Sequence, residues 1–210
     1  MENKLIQRII ITAIGLITCG MGIGLFLFSN LGVDPASVFQ LGIANQLKIN
    51  YGTASAAMNI IIIVFMIFID KRYINIATVM AIFLIGYTAD FTNTILHSLV
   101  SSNLSFALQI IFSIVGCLIM AIGIPMYTGP GLGVGAIDLL SEIITDRLHV
   151  QYRFVRITMD AFFVIVGYLL GGVFGIGTII AVVLTGPIVQ VTRPYINNLI
   201  NYILGGSNEQ

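Results

Sequence analysis

The residues of this chain whose types could do chemistry are few, and they recur at a fixed offset. Asn59 and Asp160 stand 101 positions apart and Asp90 and Gln190 stand 100 apart, each inside or at the end of an apolar stretch. A carboxylate or amide at membrane depth is costly and generally faces a cavity or a partner, so these four are candidates to line a solute path. Arg156 precedes Asp160 by one helical turn and could neutralise it as an intrahelical pair. Asp90 and Gln190, with Thr92 and Thr192 close by, equally fit polar helix ends at the interface. A second group comprises Asp34, Ser37 and Gln40, with Asp138 and Glu142 in the matching stretch. Gly133 and Gly135 close the run Gly129-Pro130-Gly131-Leu132-Gly133-Val134-Gly135, which suits a tight bend whose amides hold an anion or a carboxylate near a helix N-terminus.

Catalytic signatures are missing. The chain has no His-Glu-x-x-His, no Cys-x-x-Cys, no Walker loop and no Ser-centred elbow. His97 and His149 are isolated, and Cys19 and Cys117 fall in apolar spans where packing is their ordinary role. Gly20, Gly22 and Gly24 lack the strand and crossover unit a nucleotide fingerprint needs. The expectation is a protein that is not an enzyme and carries no metal or cofactor.

The element that must position these residues is a membrane bundle. Hydrophobic residues make up 58% of the chain, charged residues 9%, and the mean hydropathy is +1.03, against about 25% charged in soluble domains. Nine basic residues balance nine acidic ones, so no net field recruits nucleic acid. Apolar runs at 9–28, 53–69, 74–99, 104–127, 154–170 and 176–191 are six candidate spans when about 20 residues cross a bilayer. The first is followed by no small-residue cleavage site and is read as a retained span.

The same offset relates much of the rest. Leu31-Gly32-Val33 recurs as Leu132-Gly133-Val134, Gly22-Ile23 as Gly123-Ile124, and Tyr51 and Met58 as Tyr152 and Met159. After the loss of one residue, Ile76-Ala77-Thr78 recurs as Ile176-Gly177-Thr178. The chain therefore divides into units 1–103 and 104–210, and two copies of a membrane unit are a common way to build a transporter around a central site. Three spans per unit make the second unit inverted. With both termini cytoplasmic, Lys4, Arg8, Lys71, Arg72, Arg147, Arg153, Arg156 and Arg193 then fall inside and Lys48 outside. Four spans per unit would make the units parallel and put Lys71-Arg72 outside, a poorer fit.

That choice turns on segments 33–48 and 134–149. Asp34-Pro35 reads as a helix start, with Asp as cap and Pro at the first helical position. Helical spacing sets Ser37, Gln40 and Lys48 opposite Val38, Phe39, Leu41 and Ile43. In the second copy Gly135 starts the helix, and Asp138, Ser141, Glu142 and Thr145 oppose Ile137, Leu139, Leu140, Ile143 and Ile144. Such amphipathic helices either lie in the interfaces or re-enter as half-helices lining a cavity. Elsewhere, Thr78 and Thr178 are expected to bond their own helix backbone, and Gly167, Gly171 and Gly175 to serve close helix packing.

Leu31-Gly32-Val33-Asp34-Pro35, Tyr51-Gly52-Thr53, Ile176-Gly177-Thr178 and Leu184-Thr185-Gly186-Pro187 give the chain a resemblance to the bacterial YczE/YyaS/YitT group of small membrane proteins. It covers nearly the whole length and implies an inner-membrane protein, with no assigned substrate or catalytic residue. The chain departs from its own second copy at Asn75-Ile76-Ala77-Thr78, where Ala stands for Gly.

The expected architecture is an all-α polytopic protein of the cell membrane, with six spans in two inverted three-span repeats. The expected function is a transporter or channel for a small polar or anionic solute held between the repeats. The alternative is a non-transporting accessory protein that docks on another membrane protein. A homo-oligomer fits either reading, and the lipid bilayer surrounds both.

Overall fold

The computed structural model describes residues 2–69, 75–100, 104–150 and 152–205, without the side chains of residues 2, 3, 69, 138, 142, 146, 152, 153 and 156. Lys71 and Arg72, part of the charge argument, lie outside the described residues. Among those described, the chain forms eight helices and no strand: α1 (Glu2–Ser29), α2 (Pro35–Leu47), α3 (Tyr51–Ile69), α4 (Ile76–Leu99), α5 (Phe106–Thr128), α6 (Ala136–Leu148), α7 (Tyr152–Leu169) and α8 (Ile176–Ile203). Five of them, α1, α3, α4, α5 and α8, are long and apolar enough to cross a membrane. In α7 the apolar part is the shorter stretch Ile157–Leu169, because Arg153 and Arg156 occupy its first turns.

Local chemistry explains most of the boundaries. The Asp34 carboxylate accepts the Ser37 N–H at 3.2 Å, and Pro35 opens α2 where a missing N–H is harmless. Lys48 and His149, the matching C-caps of α2 and α6, both turn left-handed, at φ 54° and 52°. Two ends differ from the sequence reading. α1 starts at Glu2, since a helix tolerates the polar residues before position 9 once they stand clear of the apolar stretch. α8 runs past 191 to Ile203 with Pro187 and Pro194 inside it.

The helices pack as two bodies. In one, α1 lies against α4 and α5, and α5 against α8; in the other, α2 packs on α7 and α3, and α6 on α7 and α3. Among the described residues, the extensive helix–helix contact between the bodies is that of α3 with α4. Lipid-facing apolar surface gives helices no hydrophobic reason to associate, so close contact must come from small residues and hydrogen bonds. α1 carries both kinds of small face: a Cβ on Gly22 would sit 2.6 Å from the Gly116 carbonyl oxygen on α5, whereas Gly20 and Gly24 abut Ile85, Thr88, Ala89 and Thr92 on α4. α1 and α5 run antiparallel, Gly22 meeting Gly116 and Gly123 meeting Gly15.

The connectors cross over in a matched way. Gly177 N–H donates to the Leu31 carbonyl at 2.8 Å, and Ala77 N–H to the Leu132 carbonyl at 3.0 Å. Gly32 and Gly133, at φ +103° and +109°, lie against the starts of α8 and α4 respectively, where a side chain would be both strained and blocked. Thr78, expected to bond its own helix, instead donates to the Val134 carbonyl at 2.8 Å; a buried hydroxyl takes the carbonyl that the bend exposes. Thr178 Oγ1 accepts the Gly175 N–H at 3.4 Å. The expected packing stripe at Gly167, Gly171 and Gly175 is divided: Gly167 packs on Phe39 of α2, while Gly171 and Gly175 fall in the α7–α8 connector because α7 ends at Leu169.

Candidate functional site

A cavity of about 390 Å³ lies between the two bodies. α1 and α5 supply one wall through Cys19, Ile23, Met120 and Ile124, and α4 and α8 add Ala81, Ile85 and Ala181. The opposite wall is polar. It takes Asp34, Ser37 and Gln40 from the start of α2, Tyr51, Ser55 and Asn59 from α3, and Asp160 from α7.

Each polar side chain is set by its element. The cap at Asp34 fixes the first turn of α2, which turns Ser37 and Gln40 into the cavity, 2% and 5% exposed. Ser37 Oγ and Tyr51 Oη share a hydrogen bond of 2.8 Å, tying the start of α2 to the start of α3. Tyr51, Ser55 and Asn59 follow at spacings of four and share one face of α3. Across the cavity Thr185 Oγ1 lies 3.5 Å from Cys117 Sγ. Both cysteines are buried and neither is joined in a disulfide. α2 is held by α7: Asn45 and Gln46 donate to the Gly171 and Leu170 carbonyls at 2.7 and 3.1 Å. Val38, Phe39 and Gly42 meet Gly167 to Gly172 of α7 and its connector, and the Phe39 ring reaches back along α7 to Phe162 and Phe163.

Of the residues singled out in the sequence, the cavity gathers Asp34, Ser37, Gln40, Asn59, Gly135 and Asp160. Asp90 is elsewhere: it caps α3, its Oδ2 accepting the Gly52 N–H at 2.7 Å. Gln190 lines a separate groove on α8 with Arg193 and Asn197. Gly133 does not line the cavity but abuts Asn75 and Thr78, which makes it a packing glycine rather than a solute-approach residue. The side chains of Asp138, Glu142 and Arg156 lie outside the described residues. Tyr51, Ser55 and Thr185 line the cavity without having been singled out; the four-residue spacing of Tyr51 and Ser55 with Asn59 was the available signal for two of them.

The wall can accept and donate hydrogen bonds at several points, and among the described residues no basic side chain lines it. One end is open. Val182 and Gly186 line the cavity, yet Val182 is 61% exposed and a Cβ on Gly186 would meet nothing within 4 Å.

Residues 6–194 match the model of a family of unknown function, DUF6198, and the chain belongs to that family. It is similar to the uncharacterized membrane protein YczE of Bacillus subtilis, 29% identical over 203 residues, covering 96% of this chain and 93% of YczE. The uncharacterized protein YyaS of the same organism is 23% identical over 183 residues, 87% of this chain and 90% of YyaS. An uncharacterized protein of Haemophilus influenzae is 29% identical over 171 residues, 81% of this chain and 76% of that one. The likeness to YczE and YyaS read from the glycine motifs is thus found along most of the chain, and it makes this a membrane protein. No solved structure matches.

Proposed function

We propose that this member of the family carries a small polar solute across the cell membrane, binding it between the two helix bodies. The observation that carries the reading is the cavity: amide, hydroxyl and carboxylate groups of α2, α3 and α7 face a largely apolar wall of α1, α4, α5 and α8. Ligand sites of this kind are concave, largely apolar and supplied with a few convergent polar groups. The described wall favours a polar solute over an anionic one, since its charged members are Asp34 and Asp160. The reading is of binding and passage, not of covalent catalysis.

The finer architecture belongs to the same proposal. The chain spans the membrane six times, α7 included, as two inverted units, with α2 and α6 as half-helices that do not cross. The reciprocal contacts support this: Gly22 with Gly116 and Gly123 with Gly15, then Gly177 with Leu31 and Ala77 with Leu132. Antiparallel helices that exchange equivalent contacts are related by a two-fold axis perpendicular to both. For two membrane-length helices, that axis lies in the membrane plane, as in inverted-repeat carriers.

The test is a thermal-shift screen of the purified protein against amino acids, sugars, polyols, amines and organic acids, followed by counterflow of any hit in proteoliposomes. A bound solute stabilises the folded state by mass action. Asn59→Leu should weaken binding of the hit by about 10- to 100-fold, the loss expected for a buried hydrogen bond, while the unliganded protein still melts cooperatively. Equal stabilisation of wild type and Asn59→Leu would remove the cavity as the site.

A further inference from the structure

We infer that the structure is one of two interchangeable states, and that in the other α7 closes onto α8 as α3 now lies on α4. The inference rests on the carrier reading and says how its cavity is gated. Among the described residues the two bodies touch extensively at α3–α4, while the repeat counterparts α7 and α8 show no such packing.

The closed side is built from five residues, Gly52, Ala56, Ile82, Gly86 and Asp90. A Cβ on Gly52 would lie 2.8 Å from the Gly86 carbonyl, so the two backbones are in contact. Asp90 Oδ2 accepts the Gly52 N–H at 2.7 Å. Ala56 and Ile82 pack in one cluster, each 6% exposed. The sequence offsets carry Ala56 to Ile157, Ile82 to Val182, Gly86 to Gly186 and Asp90 to Gln190.

On that second side the counterparts whose side chains are described lie uncovered. Ile157 is 64% exposed and Val182 61%. Gly186 faces open space, and Gln190 lies on an unfilled groove of α8. Because Val182 and Gly186 also line the central cavity, this gap is the cavity's mouth.

The residues suit closure. Ile157 and Val182 are apolar, as Ala56 and Ile82 are, and together bulkier, so their contact sets the helix axes slightly farther apart. Gly186, like Gly86, carries no side chain to hold the two backbones apart. The amide oxygen of Gln190 can take the backbone N–H of Arg153, the counterpart of Gly52 and a first-turn amide that α7 cannot satisfy within its own helix, as Asp90 takes that of Gly52. Gln190 is then a positioning residue of the second closed state. The pivots are the crossovers at Leu31–Gly177 and Leu132–Ala77, which sit where the chain passes between the bodies and hold while the helices tilt.

The test uses the full chain in native membranes, with Cys19 and Cys117 replaced by Ala. One pair is Ala56→Cys with Ile82→Cys, the other Ile157→Cys with Val182→Cys, each treated with a short bifunctional thiol reagent. Each pair should crosslink within one chain. A chain carrying all four cysteines should form one link or the other, with the doubly linked product far below the product of the single yields. Adding Gln190→Leu should lower the 157–182 yield several-fold and leave the 56–82 yield intact.

Double linking at the product of the single yields overturns the inference, because the two closures are then independent. So does robust 56–82 linking with none at 157–182, or a 157–182 link that joins two chains. If the four-cysteine chain does not fold, spin labels at 157 and 182 replace it: two distance populations support the inference and one overturns it. Exclusive linking with no counterflow of any solute would sink the carrier reading and keep the two states. Counterflow that persists with the 56–82 link complete would sink the two-state gate and keep the binding cavity.

Discussion

Asp90 joins the start of α3 to α4 through one side chain. Its carboxylate ends on the N–H of Gly52, one of the amides that the start of α3 cannot satisfy internally, and an anion there also meets the positive end of the helix dipole. Asp90→Asn keeps an acceptor oxygen without the charge, while Asp90→Leu leaves the amide unpaired. We expect the Leu variant to lose about 1–3 kcal/mol and the Asn variant about half as much, since charge-assisted bonds are roughly twice as strong as neutral ones. Detergent melts of the three proteins check this, and equal loss in Asn and Leu would mean that charge, not the acceptor, matters. The expense of a polar group in an apolar span marks Asp90, Asn59 and Asp160 in the sequence, whereas Asp34 is marked as the cap before Pro35. Ser55 and Thr185 escaped because a hydroxyl in a membrane helix can bond its own backbone at no cost and so announces nothing by its presence.

At the level of helices, contact is decided by where glycine permits it. Gly22 and Gly123 place α1 and α5 backbone against backbone, whereas Gly186 faces empty space on α8. Gly22→Leu and Gly123→Leu are therefore expected to cost about 1–3 kcal/mol as overpacking, with lower yield and earlier melting. Gly186→Ala should be neutral or slightly stabilising, because Ala is the better helix former by up to about 1 kcal/mol. Loss of stability in Gly186→Ala comparable with that in Gly22→Leu would contradict the open gap. The short helices α2 and α6 were legible from Asp34-Pro35 and from the glycine run before Gly135, because caps and bends have a local chemistry. The end of α8 was not: Thr192-Arg193-Pro194 reads as a stop, yet the helix continues through Pro194 to Ile203. Nor could sequence separate the faces of Gly20, Gly22 and Gly24, since alternate glycines on a helix address different neighbours, here α4 and α5.

For the whole molecule, the inverted arrangement makes a demand that no single contact makes. Lys48 and His149 are repeat mates, both exposed, both left-handed caps at the ends of α2 and α6. In parallel units they would lie on the same side of the membrane; in inverted units they lie on opposite sides, Lys48 outside and His149 inside under the positive-inside rule. Single cysteines, Lys48→Cys and His149→Cys, in a chain freed of Cys19 and Cys117, separate the two. An impermeant maleimide applied to intact cells should label position 48 and spare position 149 until the membrane is permeabilised. The reverse pattern would keep the inversion and turn the protein over, placing the open α7–α8 mouth outside instead of inside. Equal labelling in intact cells would leave the contacts of Gly22 with Gly116 and of Gly123 with Gly15 without the in-plane axis that explains them. The carrier reading would lose its geometric basis with it, because a cavity on such an axis is what lets the same polar wall face first one side and then the other.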